Sequence, residues 1–177
     1  MRFALPLLVF PALISALPAQ PKKPAPTADE QQAVELITKA GGKAEIDARL
    51  PAEARVVARF EAATDATLLA LRKGVQIGAL DAFDATKCTD KGFAVLKDLP
   101  HLRKLVLSKS ELTKAGATAL GQCKELRDLR IPASGLTDAE LGNLKGLALL
   151  EQFDVSDNPQ VTDKGMAVVK GFERLQV

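Results

Sequence analysis

The chain repeats one pattern of apolar and polar positions about every 24 residues. Each copy begins with a threonine, has an apolar or small residue four positions later, and continues at steps of three. The threonines are Thr64, Thr89, Thr113, Thr137 and Thr162, spaced 25, 24, 24 and 25 residues apart. The residues that head the following strands are Ile77, Leu102, Leu126, Leu150 and Leu175. Because a unit of this length cannot bury its own apolar face, the pattern predicts stacked repeats.

Each head residue opens a short strand pattern. In the run from Leu126 to Ile131, the last three residues alternate between inward and outward positions, as strand residues do. A short polar residue then lies eight positions after three of the heads, at Ser110, Ser134 and Asn158. We expect these side chains to bond to the backbone of a tight bend or of a neighbouring unit.

A helix is predicted to begin at each repeated threonine. The hydroxyl can accept a hydrogen bond from a first-turn N–H, and a following aspartate complements the positive end of the helix dipole. These aspartates are Asp65, Asp90, Asp138 and Asp163. Glycines recur three positions after the threonine, at Gly92, Gly116 and Gly165, where close backbone packing explains them. The steps of three favour a short α or 3₁₀ segment that runs antiparallel to the strand.

The run Val161–Met166 resembles the Thr-Asp-x-Gly-Leu variant of the leucine-rich repeat family. The resemblance covers about residues 53–177 and is strongest in the units 102–125, 126–149 and 150–174. The unit that starts at Glu53 departs from the pattern and is interpreted as a degenerate first repeat. The resemblance implies an α/β solenoid, a right-handed coil with a concave parallel β-sheet and short convex helices.

Residues 27–52 are predicted to form an N-terminal cap of one helix and one strand. Thr27 and Glu30 have the spacing of a capping box, and Gly41-Gly42 can end the helix through a left-handed conformation. Alternation over residues 43–48 then indicates an edge strand. Such a cap would cover the apolar surface and the strand edge of the first coil.

The first 19 residues resemble a secretory signal peptide, with Arg2 before an uncharged apolar stretch and a small residue at Ala19. A retained N-terminal anchor is the alternative. Residues 20–26 are rich in proline and predict an extended linker. We therefore expect an exported protein, secreted, periplasmic or at the cell surface, without stable membrane insertion after signal cleavage.

Residues 175–177 begin a further strand pattern that no polar capping segment follows. Three interpretations stay open. Either the residues close the sheet as a truncated coil, or the sequence is a fragment, or a partner covers this end. Self-association through it is one form of the last interpretation.

Composition argues against several classes of function. With 24 basic and 22 acidic residues, the net charge is +2, so no large field of one sign attracts nucleic acid. The single histidine, His101, lies in a repeat position that accepts many residue types. Cys88 and Cys123 occupy apolar repeat positions and lack the paired spacing of a zinc site. We therefore expect buried thiols, no metal, no cofactor and no enzymatic activity.

The outward residues of the predicted sheet are the candidate partner-binding site. The repeat register assigns nine candidates to this concave face: Arg55, Arg59, Asp81, Phe83, Lys104, Val106, Asp128, Arg130 and Asp154. Four of them, Asp81, Val106, Arg130 and Asp154, are predicted to form one row with neighbours roughly 5 Å apart. The alternative is that these side chains pair with one another, for example Arg130 with Asp154, and bind nothing strongly.

Two functions follow from this sequence. The first is a non-enzymatic scaffold that binds a protein partner through the concave face, with Phe83 as an apolar anchor. The second is a structural element of a cell envelope or larger complex that associates through the uncapped C-terminal end.

Overall fold

In the part of the chain that the structure describes, six strands form one sheet and lie in it in the same order as in the sequence. The computed structural model describes residues 25–176. The strands are β1 (Lys43–Ile46), β2 (Val56–Phe60), β3 (Ile77–Ala82), β4 (Lys104–Leu107), β5 (Asp128–Arg130) and β6 (Gln152–Asp154). Strand β1 is antiparallel to β2, and all later neighbours are parallel. The protein is thus an α/β protein with a mostly parallel sheet.

A helix follows each parallel strand, and one further helix precedes the sheet. The helices are α1 (Ala28–Lys39), α2 (Asp65–Ala70), α3 (Asp90–Phe93), α4 (Lys114–Leu120), α5 (Asp138–Gly142) and α6 (Asp163–Met166). Short 3₁₀ turns cover Ala52–Ala54, Leu71–Lys73, Leu96–Asp98 and Ala167–Gly171. All five repeated threonines are N-caps whose side chains accept a first-turn N–H, as predicted.

The helix and strand of the predicted N-terminal cap are both present. Thr27 and Glu30 form the reciprocal capping box, and Gly41 has a φ of 83°, which ends α1 in the left-handed region. Strand β1 pairs with β2 at the edge of the sheet. The predicted signal peptide and Val177 lie outside the described residues. Only residues 25 and 26 of the predicted linker are described, and both are exposed without regular structure.

The core lies between the sheet and the helices and is built from equivalent positions of successive units. Leu80, Leu105 and Leu129 of neighbouring strands are paired in register, and all three are fully buried. On the helix side, Leu68 and Leu141 are equally inaccessible. Both Leu layers belong to one continuous apolar cluster, so each unit is stabilised mainly by burying its leucines against its neighbours.

The polar residues after the strands form a buried hydrogen-bonded ladder. The Ser110 hydroxyl lies 2.9 Å from that of Ser134, and the Asn158 amide oxygen accepts the Ser134 N–H at 2.9 Å. The residues before them, Lys109 and Ala133, have φ of 56° and 52°. The prediction that these side chains bond to the backbone of a neighbouring unit is confirmed for Ser134 and Asn158.

The register predicted for the first unit is wrong by two residues. Val57, rather than Arg55, pairs with Ala79, and Arg59 pairs with Asp81 rather than with Phe83. The cause is the 3₁₀ turn Ala52–Ala54, which follows the junction with the cap and delays the start of β2. The later units keep the predicted register.

Candidate functional site

Two rows of side chains cross the sheet on its outward face, opposite the leucines of the core. The first row is Val57, Ala79, Lys104, Asp128 and Gln152, and the second is Arg59, Asp81, Val106, Arg130 and Asp154. The predicted row from Asp81 to Asp154 is confirmed by the strand pairing. We call these ten residues the outward face.

Arg55 does not belong to the outward face. Its Nε lies 2.7 Å from Oε1 of Glu30, a fully buried carboxylate on α1. Arg55 therefore joins the cap to the first strand on the helix side. Because a buried carboxylate is costly without a cationic partner, this pair has a structural role.

Asp81 lies on β3, between β2 and β4, and has two cationic neighbours on the outward face. Its side chain is only 9% exposed, with Arg59 Nε 3.4 Å from Oδ2 and Lys104 Nζ 3.9 Å from Oδ1. Arg59 also holds Glu45 of β1 at 2.6 Å, and this hydrogen bond raises the pKa of the Arg59 guanidinium. The cap strand thus contributes one carboxylate to a small network of alternating charges.

Arg130 forms the second charged group of the outward face. Its Nε and Nη2 donate to the two Asp128 oxygens at 2.9 and 3.1 Å, and Nη2 also reaches Gln152 at 2.9 Å. The hydrogen bond to Asp128 raises the pKa of Arg130. Arg130 does not pair with Asp154, the example given above for charges that pair with one another; its carboxylate partner is Asp128, two positions earlier in the same strand. Asp154 instead accepts the N–H of Ser156 at 2.9 Å.

Phe83 is the most exposed phenylalanine among the described residues, with 52% of its surface accessible. It follows β3, and its N–H donates to the carbonyl of Phe60 at 3.1 Å. The ring borders a cleft of about 360 Å³. The cleft is lined by Gly41, Lys43, Arg59, Phe60, Glu61, Ala62 and Phe83. An exposed aromatic ring beside a cleft and a charged pair is a typical composition for a protein-binding surface.

Sequence reasoning missed the contribution of the cap to this cleft. Lys43 pairs in register with Arg59, and its Nζ lies 3.2 Å from Glu61 at the rim. The alternation over residues 43–48 predicts the strand, but it does not say which face meets β2. Only the antiparallel pairing with β2 places Lys43 in the lining of the same cleft as Phe83.

The prediction that the two cysteines are buried is confirmed. Burial raises the pKa of the Cys88 thiol to about 11 and that of Cys123 to about 12, and both cysteines are free. Within residues 25–176 there is no group of three or more His, Cys, Asp or Glu side chains placed to hold a metal ion. In the same part of the chain no helix has the length and apolar character needed to cross a membrane.

Comparison with models of known protein families finds none that matches this chain. A comparison with curated proteins finds no match either. Any function assigned to the protein therefore rests on its own residues and their arrangement.

Proposed function

We propose that the chain is an exported leucine-rich repeat protein, a right-handed solenoid that binds a protein partner through the concave outward face of its sheet together with the adjoining Phe83. The period of 24 or 25 residues, the strands in sequence order and the threonine N-cap of every unit support the repeat architecture. The apolar stretch after Arg2 supports export.

The observation that carries the binding proposal is the position of Phe83. An exposed phenylalanine costs solubility, and here it borders a cleft beside the network of Arg59, Asp81 and Lys104. Binding energy in protein interfaces is concentrated in such aromatic and arginine anchors. The surrounding charges are mixed in sign, which favours a protein partner over a nucleic acid.

Differential capture tests the proposal. The purified protein and its Phe83→Ala, Arg130→Ala double variant are immobilised, exposed to extract from the source cells, and the retained proteins are identified by mass spectrometry. A matched control variant carries Val75→Ala and Lys145→Ala, two exposed positions outside the outward face. Circular dichroism verifies that all three proteins are folded.

The proposal predicts a partner that the unaltered protein and the control retain and the double variant loses. Equal capture by all three proteins would place binding elsewhere on the molecule. In that case the outward face would be a mixed solvated surface whose charges pair with one another.

A second candidate function is assembly through the unit that contains β6. Val155 and Val161 are partly exposed there, whereas the equivalent Ile131 and Leu136 of the preceding unit are fully buried. Such a surface can take another repeat unit of the same type. Light scattering over a wide concentration range tests this function. The mass is expected to rise with concentration, and Val155→Glu, but not Val75→Glu, should abolish the rise. A constant monomeric mass would rule the assembly out.

A further inference from the structure

A second cleft, of about 690 Å³, lies on the helix side between α1 and the first repeat helix. We call it the helix groove. It is lined by Leu36, Lys39, Ala40, Ala66, Thr67, Leu69, Ala70, Arg72 and Lys73. None of these residues belongs to the outward face, so the helix groove is a separate surface.

Leu69 distinguishes this groove from the rest of the helix side. It is 49% exposed, although burial of a leucine side chain is favourable. Residues at the equivalent position of the other units, five after the threonine, are small or polar: Ala94, Thr118, Gly142 and Ala167. The repeat therefore does not require a large apolar residue here. Leu69 is a feature of the first unit alone.

The groove owes its depth to small residues on both helices. Ala66 and Ala70 of α2 flank Leu69, and Ala40 follows α1 on the opposite wall. Leu36 of α1 is partly exposed and adds a second leucine to the lining. The wall formed by α1 is its last turn, which contributes Leu36 and Lys39 to the lining.

The charged residues that line the groove are all basic. Lys39, Arg72 and Lys73 line it, and no acidic residue does. Lys39 pairs with Glu35 at 2.6 Å and Arg72 with Asp98 at 2.9 Å. The first pair is mostly exposed and so contributes little, whereas in the second pair the Asp98 side chain is only 32% exposed.

The third cation, Lys73, has no ion-pair partner among residues 25–176. A carboxylate on a bound partner can therefore pair with Lys73 without breaking an existing ion pair.

We propose that the helix groove docks an acidic amphipathic helix of a partner protein. The apolar face of the partner helix would cover Leu36 and Leu69. The carboxylates of the partner helix would pair with Lys39, Arg72 and Lys73. An amphipathic helix in an apolar groove between two helices is a common mode of peptide recognition. A membrane surface is the weaker match, because attraction to anionic lipid usually takes a cluster of about four to eight basic residues.

The first experiment measures binding of two labelled synthetic peptides by fluorescence anisotropy. Both are about four turns long, with leucine at positions i, i+3, i+4 and i+7. One peptide has glutamate at its remaining positions and the other has lysine. The acidic peptide is expected to bind with a Kd in the range of about 10–100 μM and to weaken as salt rises, whereas the basic peptide is not.

Variants locate the binding. Leu69→Ala introduces the residue that two other units carry at this position, so the fold is expected to tolerate it. The double variant Leu69→Ala, Lys73→Glu should bind the acidic peptide about tenfold or more weakly than the unaltered protein does. The matched control, Val75→Ala with Lys170→Glu, changes exposed residues outside the groove and should leave the affinity unchanged.

Amide resonances followed by NMR provide a check that does not depend on any variant. Titration with the acidic peptide should shift the amides of Leu36, Ala66 and Leu69 and leave those of Val106 and Arg130 in place. Equal affinity for both peptides, no binding of the acidic one, or shifts confined to the outward face would each overturn the proposal. A vesicle assay tests the membrane alternative. If the unaltered protein binds phosphatidylglycerol vesicles, the Lys73→Glu variant does not, and the acidic peptide is not bound, the groove is a lipid-binding surface and the proposal is overturned.

Discussion

The carboxylate of Asp65 closes the N-terminus of the helix that begins one unit later. Its Oδ1 accepts the N–H of Thr89 at 2.7 Å and that of Gly92 at 3.1 Å, and its Oδ2 accepts the Thr89 hydroxyl at 2.6 Å. The same contact recurs between Asp90 and Thr113, and between Asp138 and Thr162. Each aspartate thus serves its own helix through the dipole and the next helix as a cap.

One unit lacks this contact, and its sequence shows which residues the contact requires. Lys114 stands where the other units have aspartate, so the next threonine, Thr137, receives no carboxylate from the preceding unit. Glu140 of the same helix takes over and accepts the Thr137 N–H at 3.1 Å. Glu140 occupies the position where Gly92 stands in its own unit. Aspartate and glycine therefore occur as a pair, 26 or 27 residues apart.

Replacing Asp65 tests the inter-unit cap. Asp65→Ala should lower the free energy of unfolding by about 1–2 kcal/mol, because two backbone N–H groups and the Thr89 hydroxyl lose their acceptor. Urea denaturation measures the change. Asp163→Ala is the matched control, since Asp163 occupies the same repeat position but no described unit follows it. Equal destabilisation by the two variants would mean that the dipole, and not the cap, carries the effect.

Gly92 is required by the same contact. A Cβ at this position would lie 2.5 Å from Asp65 Oδ1 and 3.1 Å from Leu68 Cδ1. Gly92→Ala should therefore destabilise the protein by about 1–3 kcal/mol, although alanine is the better helix former. Gly142→Ala provides the contrast, because nothing lies within 4 Å of its Cβ.

Gly142→Ala is expected to raise the free energy of unfolding by about 0.5–1 kcal/mol. Thermal unfolding of both variants measures the two changes. Similar changes in Tm for Gly92→Ala and Gly142→Ala would contradict the account of Gly92.

The hydrogen bonds that Asp65 and Asp138 accept from the next unit also make the stability of the protein depend on pH. Burial raises the pKa of Asp65, but the hydrogen bonds from Thr89 and Gly92 outweigh it, and the folded pKa lies below the ordinary value of 3.8. The pKa of Asp138 is lowered, first by the N–H of Thr162. As the pH falls, the unfolded chain therefore binds protons at these positions before the folded chain does.

The stabilisation is complete above the unfolded pKa and is lost as the pH falls through the folded pKa. Urea midpoints should be constant above roughly pH 5 and fall below it. In Asp65→Asn the fall should be shallower than in the unaltered protein. An identical slope in both proteins would show that Asp65 titrates alike in the folded and unfolded states.

Local signals in the sequence were sufficient to predict most of the fold. The repeat spacing predicts strands β3–β6, and the threonines predict the helix starts, because caps and apolar alternation act within a few residues. The predicted register of the first unit was wrong because the start of β2 is determined by the turn Ala52–Ala54 and by pairing with β1. Both are consequences of the cap and not of the repeat.

Contacts between units were harder to predict. The spacing of Asp65 from Gly92 and of Asp138 from Gly165 is visible in the sequence, but its meaning is clear only once neighbouring units are stacked. The cleft beside Phe83 was missed for a similar reason, since antiparallel pairing of β1 places Lys43 there. Side-chain partners within one strand, such as Arg130 and Asp128, depend on rotamers that a repeat register does not specify.

The buried cysteines should be protected in the folded protein. The high pKa of each thiol, about 11 for Cys88 and about 12 for Cys123, leaves almost no thiolate at pH 8. Ellman's reagent is expected to react with both thiols rapidly in urea and slowly in buffer, with Cys123 the slower of the two. Rapid reaction in buffer would mean that the units containing these cysteines open locally.

Asn158 provides the sharpest test of the buried polar ladder. Its Oδ1 accepts the N–H groups of Ser134 and Leu136 at 2.9 and 3.0 Å, and its Nδ2 donates to the Ile131 carbonyl at 2.9 Å. Asn158→Ala leaves these groups buried without partners and should cost about 2–4 kcal/mol of unfolding free energy in urea. Asn143 is the matched control: its amide donates to the Ala139 carbonyl at 2.8 Å and accepts the Thr118 hydroxyl at 3.4 Å, and both bonds are exposed, so Asn143→Ala should cost less than about 1 kcal/mol. Equal losses would mean that the backbone groups around Asn158 find water instead.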